Sequence, residues 1–494
     1  ALTVNAGVTL SANITTLKST SQLYSSLIVD GTVEGVVKYE RFVNSNTGGN
    51  DLISPPLSGQ TWADFLASGT NATDLLNTGS TNPISYAFGP FDKTADSYIN
   101  YTNAESSSLT LVSGTGYRAG TDPSLDPGTN LSFTGAVPAS PIAVNILNTG
   151  ALYPDWNLLG NPYPSYLDME VFLNYVLFDN GSDPTITNMA ILEDMSGIYG
   201  YAGGNVANKW DVITLANAST KLMAPGQGFF VAANASYVND FDIVFDPSMR
   251  AIGANDDFIV GRNSDLLTFL KLNINASNTD YSTEFYFNDN ASLGLDLGYD
   301  GKILGNVAPS YALYSHLVED NTGLPLALQA LHPSDLGHTI IPLGVNSNQG
   351  EQLTFSISET TLPSDVDIYL EDTATNTMTL LNTGNYTMTP NVALHGTGRF
   401  YLHLSSSTLS DTSQTFDYLQ IYNTTTPKTV VVEGVLQAKT TLNLYDIQGR
   451  LVLNTALDHF NVINTIDVSS LNSGVYFVKV FNANQSKTQK LIIH

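Results

Sequence analysis

An acidic, glycine-rich loop holds the side chains best suited to chemistry in this sequence. Asp289, Asp296 and Asp300 put three carboxylates on turns that also carry Asn and Gly residues. Calcium prefers hard oxygen ligands of this kind, usually supplied by Asp side chains and loop carbonyls. The spacing differs from that of an EF-hand loop, and Asp is also a common turn former. The loop is therefore a candidate calcium site, with plain turn formation as the alternative.

Aromatic residues supply a second candidate site. Tyr199, Tyr201 and Trp210 could form a platform on which a sugar ring stacks, and Trp62 could serve in the same way. Packing of these rings in the core of a β-sandwich is the alternative. Paired carboxylates for sugar hydrolysis meet only in the folded chain, so sequence spacing neither identifies nor excludes them. A carbohydrate-binding module and a divergent glycoside hydrolase therefore stay open.

Established catalytic motifs are missing from the sequence. It contains no His-Glu-x-x-His zinc motif, no Gly-x-Ser-x-Gly nucleophile elbow and no Gly-Lys-Ser/Thr phosphate loop. The seven histidines are scattered, and the absence of cysteine removes thiol catalysis and Cys-based zinc sites. We therefore expect a protein that is not an enzyme.

The composition restricts the class of partner. The chain has 18 Lys and Arg against 45 Asp and Glu, a formal net charge of -27. Such a field repels phosphate backbones, so we expect no nucleic-acid binding. Hydrophobic residues make up 42% of the chain and charged residues 13%, which is enough apolar material for folded cores. No apolar run approaches the roughly 18 residues that a membrane-spanning helix needs.

Strand-like segments between turn clusters predict an all-β protein with several domains. Residues 1–45 are predicted to form a strand-rich, β-solenoid-like N-terminal cap. Residues 46–248, which hold all three tryptophans, and residues 249–404 are predicted to be tandem β-sandwich or jelly-roll domains. Residues 405–416 are predicted to be a Ser/Thr-rich linker. A short helix is expected only around Ser165 to Val176.

The first residues suggest that the sequence is a processed or truncated form. It begins at Ala1 without a methionine and without a basic-then-apolar leader, as after removal of a signal peptide. Because a solenoid-like cap is usually the end of a longer array, we also expect the natural protein to extend further in the N-terminal direction.

The last segment, residues 417–494, differs from the rest in charge. Residues 418–494 hold six Lys or Arg and four Asp or Glu, a net charge of +2, so the preceding residues carry -29. Short apolar strands alternate there with turns such as Asp446–Gly449 and Asn472–Gly474. So many strands in so short a segment predict a small Ig-like sandwich with a role of its own.

Four sequence blocks in this segment resemble a known family. They are Leu444–Arg450, Ile466–Leu471, Ser473–Val480 and Lys487–Ile493. In this order at the end of a chain, they are similar to the type A C-terminal sorting domain of type IX secretion substrates from the Bacteroidetes. Family members often carry Pro-Asn-Pro where this chain has Tyr422–Lys428, which leaves the cleavage position open. The positions that match the sorting signal are Gly449, Arg450, Gly474, Tyr476, Lys487 and Lys490.

The resemblance implies an export route with named partners. The folded protein would pass through the periplasm and cross the outer membrane through the type IX translocon. An outer-membrane barrel shuttle protein would recognise the C-terminal domain, and a sortase-like protease would remove it. The product would be anchored to surface lipopolysaccharide or released. Lys487 and Lys490 would suit an acidic receptor surface, and a solvated strand edge is the alternative for both.

The rest of the chain resembles the β-rich body of large surface proteins from the same bacteria. The blocks Asn50–Gln60, Trp156–Pro164 and Gly226–Val231 carry this second resemblance, which brings no chemistry with it. It implies a secreted structural or adhesive protein of the cell surface, associated with gliding or attachment. The expected partner is then a surface protein or a polysaccharide.

Overall fold

Strands dominate the structure, which confirms the all-β prediction. The computed structural model describes residues 1–45, 50–181, 185–201, 210–237, 239–253, 259–261, 267–276, 279–406, 419–436, 439–458, 461–482 and 486–493. No helix in these ranges has the length and apolar character needed to cross a bilayer. The chain divides into two compact units, residues 1–407 and 408–494. Helices are short, with α-helices at Trp62–Ala67, Asn71–Asp74 and Met169–Leu173 and 3-10 helices at Pro123–Leu125, Ala218–Thr220, Pro247–Met249, Leu304–Asn306 and Pro333–Gly337.

The first strands of the larger unit pair in parallel. Leu2–Val4 pairs with Leu27–Val29, and Thr9–Thr20 pairs with Thr32–Asn44. Parallel pairing between successive coils is the arrangement of β-solenoids. The same sheet also takes up an antiparallel strand from much later in the chain, because Gly128–Gly135 pairs with Thr32–Asn44. Its strand order is Gly128–Gly135, Thr32–Asn44, Thr9–Thr20 and Leu23–Tyr24.

An aromatic core lies beneath this sheet. Trp62 is only 2% exposed, and its ring stacks on Phe65 and Phe88 with centroids 5.6 and 5.1 Å apart. The helix that carries Trp62 is capped by Thr61, whose hydroxyl accepts from the Asp64 backbone N–H at 3.1 Å. Further strands here are Asp51–Ile53, Phe88–Gly89 and Tyr117–Ala119 in one sheet, with hairpins Asn77–Thr81/Ile84–Tyr86 and Phe91–Asp92/Ser97–Tyr98.

Two four-stranded sheets follow. The first has the strand order Trp156–Gly160, Gly228–Ala232, Ile198–Tyr201 and Trp210–Ile213. The second has the strand order Arg250–Ala251, Tyr166–Asp168, Lys221–Met223 and Ile259–Gly261. The expected short helix is present at Met169–Leu173, where Asp168 caps the first turn by accepting from two backbone N–H groups. Two further pairs are Ile142–Val144 with Ile243–Phe245 and Val176–Phe178 with Ile186–Thr187.

The largest sheet contains eleven of the described strands and encloses one apolar core. Alternation is clear in Val366–Asp372, where every second side chain is buried. Strands near the two ends of the sheet meet, because the Tyr386 hydroxyl donates to the Asp372 carboxylate at 2.7 Å. The order is Thr377–Leu380, Val366–Asp372, Phe400–Ser406, Ile340–Asn346, Ala312–Ser315, Leu326–Leu331, Thr279–Phe287, Thr268–Ala276, Leu353–Thr360 and Tyr386–Met388, with Gly301–Lys302 beside Leu326–Leu331.

The predicted boundaries at residues 45 and 248 stay predictions, and strand pairing crosses both of them. Gly128–Gly135 joins the sheet of the first 45 residues, and Arg250–Ala251 pairs with Tyr166–Asp168. Most of the predicted Ser/Thr linker, residues 407–416, lies outside the described residues.

The smaller unit is a sandwich of a three-stranded and a four-stranded sheet. Val430, Val432 and Ile466 from the first sheet pack against Leu444 and Val478 from the second. Three strands facing four is the arrangement of a constant-type Ig domain. The three-stranded sheet has the order Gln420–Thr425, Lys428–Glu433, Ile463–Asp467, and the four-stranded sheet has the order Leu451–Leu457, Thr440–Asp446, Gly474–Phe481, Ser486–Ile493.

Candidate functional sites in the terminal unit and beside Trp210

Three of the four family-like sequence blocks meet at one level of the four-stranded sheet. Tyr445, Phe477 and Lys490 are direct partners on three adjacent strands. Two residues further along, Val475 is paired with Ile492. Directly paired side chains lie on the same face of a sheet. The strand register therefore assembles these five residues from segments that are far apart in sequence.

This paired level lies on the outer face of the sandwich. Leu444, Val478 and Leu491, each next in sequence to one member of the level, are buried between the two sheets. Because successive side chains of a strand alternate between faces, the paired level points away from the core.

Apolar side chains make up most of this outer surface. The exposed fractions are 73% for Ile447, 53% for Leu451, 52% for Ile492 and 39% for Phe477. Leu451 is paired with Tyr445, and Ile447 lies in the turn at the same end of the sheet. Arg450 and Lys490 are exposed at its border. We call this surface the outer patch: Tyr445, Ile447, Leu451, Val475, Phe477 and Ile492, bordered by Arg450 and Lys490.

The turn at the edge of the outer patch is held by one carboxylate. Asp446 accepts from the backbone N–H groups of Gln448 and Arg450 at 2.9 and 3.0 Å, and from the Arg450 Nε at 2.7 Å. These hydrogen bonds, the backbone one from Arg450 first, hold the pKa of Asp446 below its usual range. Gly449 has φ of +77°, a backbone conformation that favours glycine.

Two other residues predicted for the sorting signal point inward. Tyr476 is buried, and its hydroxyl donates to the Asn472 carbonyl at 2.9 Å. The Lys487 ammonium donates to the Leu419 carbonyl at 2.6 Å, which ties the last strand to the start of the sandwich. Gly474 opens its strand, where an added Cβ would make only ordinary contact with Tyr476. Of the six predicted positions, Arg450 and Lys490 are therefore the side chains displayed beside the outer patch.

The sequence prediction missed the apolar members of the outer patch, Phe477 and Ile492 above all. One signal was available, because Gly474–Phe481 is apolar at outward as well as inward positions. A half-exposed strand normally alternates apolar and polar residues. Excess apolar residues on the solvent side therefore mark a surface that has a further use.

The acidic loop of the larger unit uses its carboxylates on its own backbone. Asp300 is fully buried and accepts from the N–H groups of Asp296 and Ala330, both at 2.8 Å. Burial raises the pKa of Asp300 to about 7. The Asp296 carboxylate accepts from the backbone and hydroxyl of Ser292, and Asp289 lies exposed on the neighbouring turn.

These contacts fit the turn-forming alternative for the loop. In the part of the chain that the structure describes, no group of three or more His, Cys, Asp or Glu side chains is arranged to hold a metal ion. Calcium binding by Asp289, Asp296 and Asp300 stays a prediction.

Of the aromatic residues proposed for sugar stacking, two are in cores. Trp62 is enclosed as described above, and Tyr199 is fully buried with its hydroxyl donating to the Lys302 carbonyl at 2.7 Å. Trp210 is half-buried, with its ring between Tyr201 and Phe230 at centroid distances of 5.2 and 5.6 Å. Trp210 is therefore the tryptophan best placed to reach a ligand.

A narrow crevice beside Trp210 contains two carboxylates. Asp211 and Glu284 both line it, and its volume is about 20 Å³. Glu284 accepts from the Lys271 ammonium and from the Tyr286 hydroxyl, each at 2.8 Å. Desolvation raises the pKa of Asp211. It acts on Glu284 as well, but the charges of Lys271 and Lys221 and the hydrogen bonds from Lys271 and Tyr286 together outweigh it and hold the pKa of Glu284 below its usual range.

Opposite pKa shifts in two neighbouring carboxyl groups are typical of acid and base pairs. The volume of the crevice, however, suits about one water molecule, whereas pockets for small ligands are typically about 300–1,000 Å³. A much larger open concavity of about 520 Å³ carries no ionisable side chain; it is lined by Ile357, Thr360, Leu381, Asn382, Thr383, Gly384 and Asn385.

Comparison with known protein families gives two matches. Residues 65–404 match a family described as a domain of unknown function, DUF8693. Residues 418–494 match the secretion system C-terminal sorting domain. No curated protein matches the chain.

Proposed function

Because the chain belongs to the DUF8693 family of domains of unknown function and ends in a secretion system C-terminal sorting domain, we propose that it is a non-catalytic structural or adhesive protein of the outer cell surface. The sorting domain is the observation that carries this proposal. It makes the chain a type IX secretion substrate, exported from the cell. Neither family description states an adhesive or structural role, which we propose in addition.

We also propose how the chain crosses the outer membrane and what happens to the sorting domain afterwards. The type IX translocon passes the folded chain across the outer membrane, and a barrel shuttle protein in that membrane receives the sorting domain. A sortase-like protease then removes the domain, and the remaining protein is attached to lipopolysaccharide or released. The separate compactness of residues 408–494 supports this, because a removable signal must not be part of the cargo's core.

The contacts of the larger unit support a non-catalytic role. The Asp296 and Asp300 carboxylates accept hydrogen bonds from within the chain, and the open concavity of about 520 Å³ offers no acid, base or nucleophile other than threonine hydroxyls. A large β-rich body of this kind suits contact with a surface protein or a polysaccharide, and it suits a role in gliding or attachment. The charge of -29 on the residues before the sorting domain keeps such a body soluble outside the cell.

The adhesive role can be tested in cells. A strain that lacks the chain should attach to surfaces, or glide, less well than the parent, and purified protein added back should restore part of the attachment without consuming any glycan. Equal attachment and equal gliding of the two strains would contradict the proposal.

The crevice beside Trp210 favours one second candidate, a glycan-acting protein. Its supporting observation is the opposite pKa shifts of Asp211 and Glu284 next to a half-buried tryptophan. Under this alternative, purified protein releases sugars from a polysaccharide panel, and D211N or E284Q abolishes the release. Saturable sugar binding that W210A removes, without product release, would instead indicate a carbohydrate-binding module.

A further inference from the structure

The outer patch is larger and more apolar than folding of the terminal sandwich requires. The buried faces of the two sheets already form a continuous core, so Phe477, Ile492 and Leu451 contribute little to it. The other end of the same outer face is more polar, although it includes the half-buried Phe481, whose ring centroid lies 5.6 Å from the Lys479 ammonium. There Asn454 donates to Asn443 at 2.6 Å, and Asn443 donates to the Tyr445 hydroxyl at 2.9 Å. The most exposed apolar side chains of this face are therefore concentrated at one end, where the family-like blocks meet.

The two outer faces of the sandwich also differ in charge. The four-stranded sheet displays Lys479 and Lys490, with Arg450 in the adjoining turn. The three-stranded sheet carries the carboxylates Glu433 and Asp467 at outward positions, paired with Ile463 and Thr429. An acidic partner surface would thus be attracted to the first face and repelled by the second.

From these observations we propose that the outer patch is the docking surface for the protein of the type IX machinery that receives the chain. The partner site that fits it is an apolar surface bordered by carboxylates. Phe477 and Ile492 insert into the apolar part, while Arg450 and Lys490 pair with the carboxylates. Aromatic and Arg side chains at the centre of an interface typically carry most of its binding energy.

The edge strand Ser486–Ile493 supplies a second means of attachment at the same place. It ends the order of the four-stranded sheet, and among the strands that the structure describes it pairs with Gly474–Phe481 alone, so the part that holds Lys490 and Ile492 offers an edge to a strand of the partner. Lys490 and Ile492 project from this strand into the outer patch. Backbone pairing and side-chain docking can therefore use the same receptor surface.

This inference rests on export by type IX secretion, and one experiment separates the two. The full chain with its signal peptide is expressed in a type IX-competent host, and protein is measured in the periplasm, on the surface and in the medium. The variants are F477E in the outer patch and I463E on the opposite sheet, where Ile463 is 55% exposed. A second pair reverses charge, with K490E in the patch border and K439E at the exposed Lys439.

We expect F477E to lower exported protein at least about tenfold, the scale of one interface hot spot. K490E should lower it by a smaller factor, whereas I463E and K439E should match the parent. Because Phe477 and Lys490 are on the surface, thermal unfolding of the retained protein should be unchanged. K490E, which removes no apolar contact, keeps the test valid if F477E folds poorly.

If F477E and K490E are both exported in the same amount as the parent chain, the proposed docking surface is wrong. It is also wrong if F477E and I463E are retained in the cell to the same extent. Export to the medium with loss of surface attachment would assign the patch to a surface glycolipid instead, and export of a variant that no longer self-associates would assign it to a second copy of this chain. If a chain lacking residues 417–494 is also exported normally, the export route itself fails, whatever the patch variants show.

Discussion

The two units of this chain use similar residues in opposite ways. The larger unit encloses several aromatic and charged residues, among them Trp62, Asp300 and Asp372. The terminal unit displays Phe477, Ile492 and Lys490 on a solvent-facing sheet. In the first case the side chains stabilise the fold, and in the second they exceed what the fold needs. Residues that could do chemistry or bind are therefore informative only together with their exposure.

Removal of one aromatic ring from each unit should give the largest difference in the change of unfolding free energy. Trp62→Ala removes a stacked ring that also donates to the Thr102 carbonyl at 2.8 Å, so unfolding of the larger unit should cost about 3–5 kcal/mol less. Phe477→Ala should change the stability of the terminal unit by less than about 0.5 kcal/mol. Calorimetry on the full chain measures both transitions. Equal losses in the two variants would contradict the comparison.

A buried carboxylate can be compared with its half-buried neighbour on the same strand, Glu371, whose carboxylate lies 2.7 Å from the His403 Nε2. Asp372 accepts from Arg399 at 2.8 and 2.7 Å and from Tyr386, and these bonds outweigh burial and lower its pKa. Asp372→Asn should therefore destabilise the larger unit by about 2–3 kcal/mol, and Glu371→Gln by far less. The difference should shrink as pH falls from about 4, where Asp372 of the unfolded chain takes up a proton, down through the lowered pKa of the folded state. A difference that grows in acid would contradict this assignment.

The pH dependence of Asp300 should have the opposite sign. Its folded-state pKa of about 7 lies above the ordinary 3.8, so its stabilising contribution is complete below pH 4 and is lost as pH rises toward 7. In that window the contribution should fall by up to roughly 1.4 kcal/mol per pH unit, and Asp300→Asn should remove the slope. Denaturation curves at pH 5 and pH 8 measure it.

Calcium provides the control for the Asp300 experiment. Since the Asp296 and Asp300 carboxylates are hydrogen-bonded within the chain, added calcium or EDTA should leave the unfolding temperature at pH 8 unchanged. A rise with calcium would instead support the predicted site at Asp289, Asp296 and Asp300.

A smaller loss of stability than for Trp62 or Asp372 is expected at the turn beside the outer patch. Gly449→Ala forces a side chain into φ of +77° and should cost the terminal unit about 1–2 kcal/mol. Gly474→Ala is the matched control, because its added Cβ meets only an ordinary contact. Equal shifts in the terminal unfolding transition would show that turn strain does not distinguish the two glycines.

The sequence predicted the fold class and the terminal sorting domain because both depend on local pattern. Alternation in Val366–Asp372 and the turn at Asp446–Gly449 are visible in the chain itself. Strand register is not local, so nothing in the sequence showed that Tyr445, Phe477 and Lys490 share one level. For the same reason the pairing of Thr32–Asn44 with Gly128–Gly135 was not foreseen.

Side-chain burial was the second quantity that the sequence could not supply. Tyr199 and Trp210 are both aromatic strand residues close in sequence, yet one is fully enclosed and the other borders a crevice. Asp296 and Asp300 have the types of calcium ligands, but the Asp300 carboxylate accepts from the backbone N–H of Ala330, which is 30 residues away in sequence. Such partners come from tertiary packing and leave no signature in the spacing of the loop.

The central claim is that the terminal unit directs export, and the location of a truncated chain tests it most directly. Residues 417–494 are deleted, and the remainder is expressed with its signal peptide in a type IX-competent host beside the intact chain. We predict that the truncated chain stays in the periplasm while the intact chain reaches the surface or the medium. Equal arrival of both outside the cell would contradict the account.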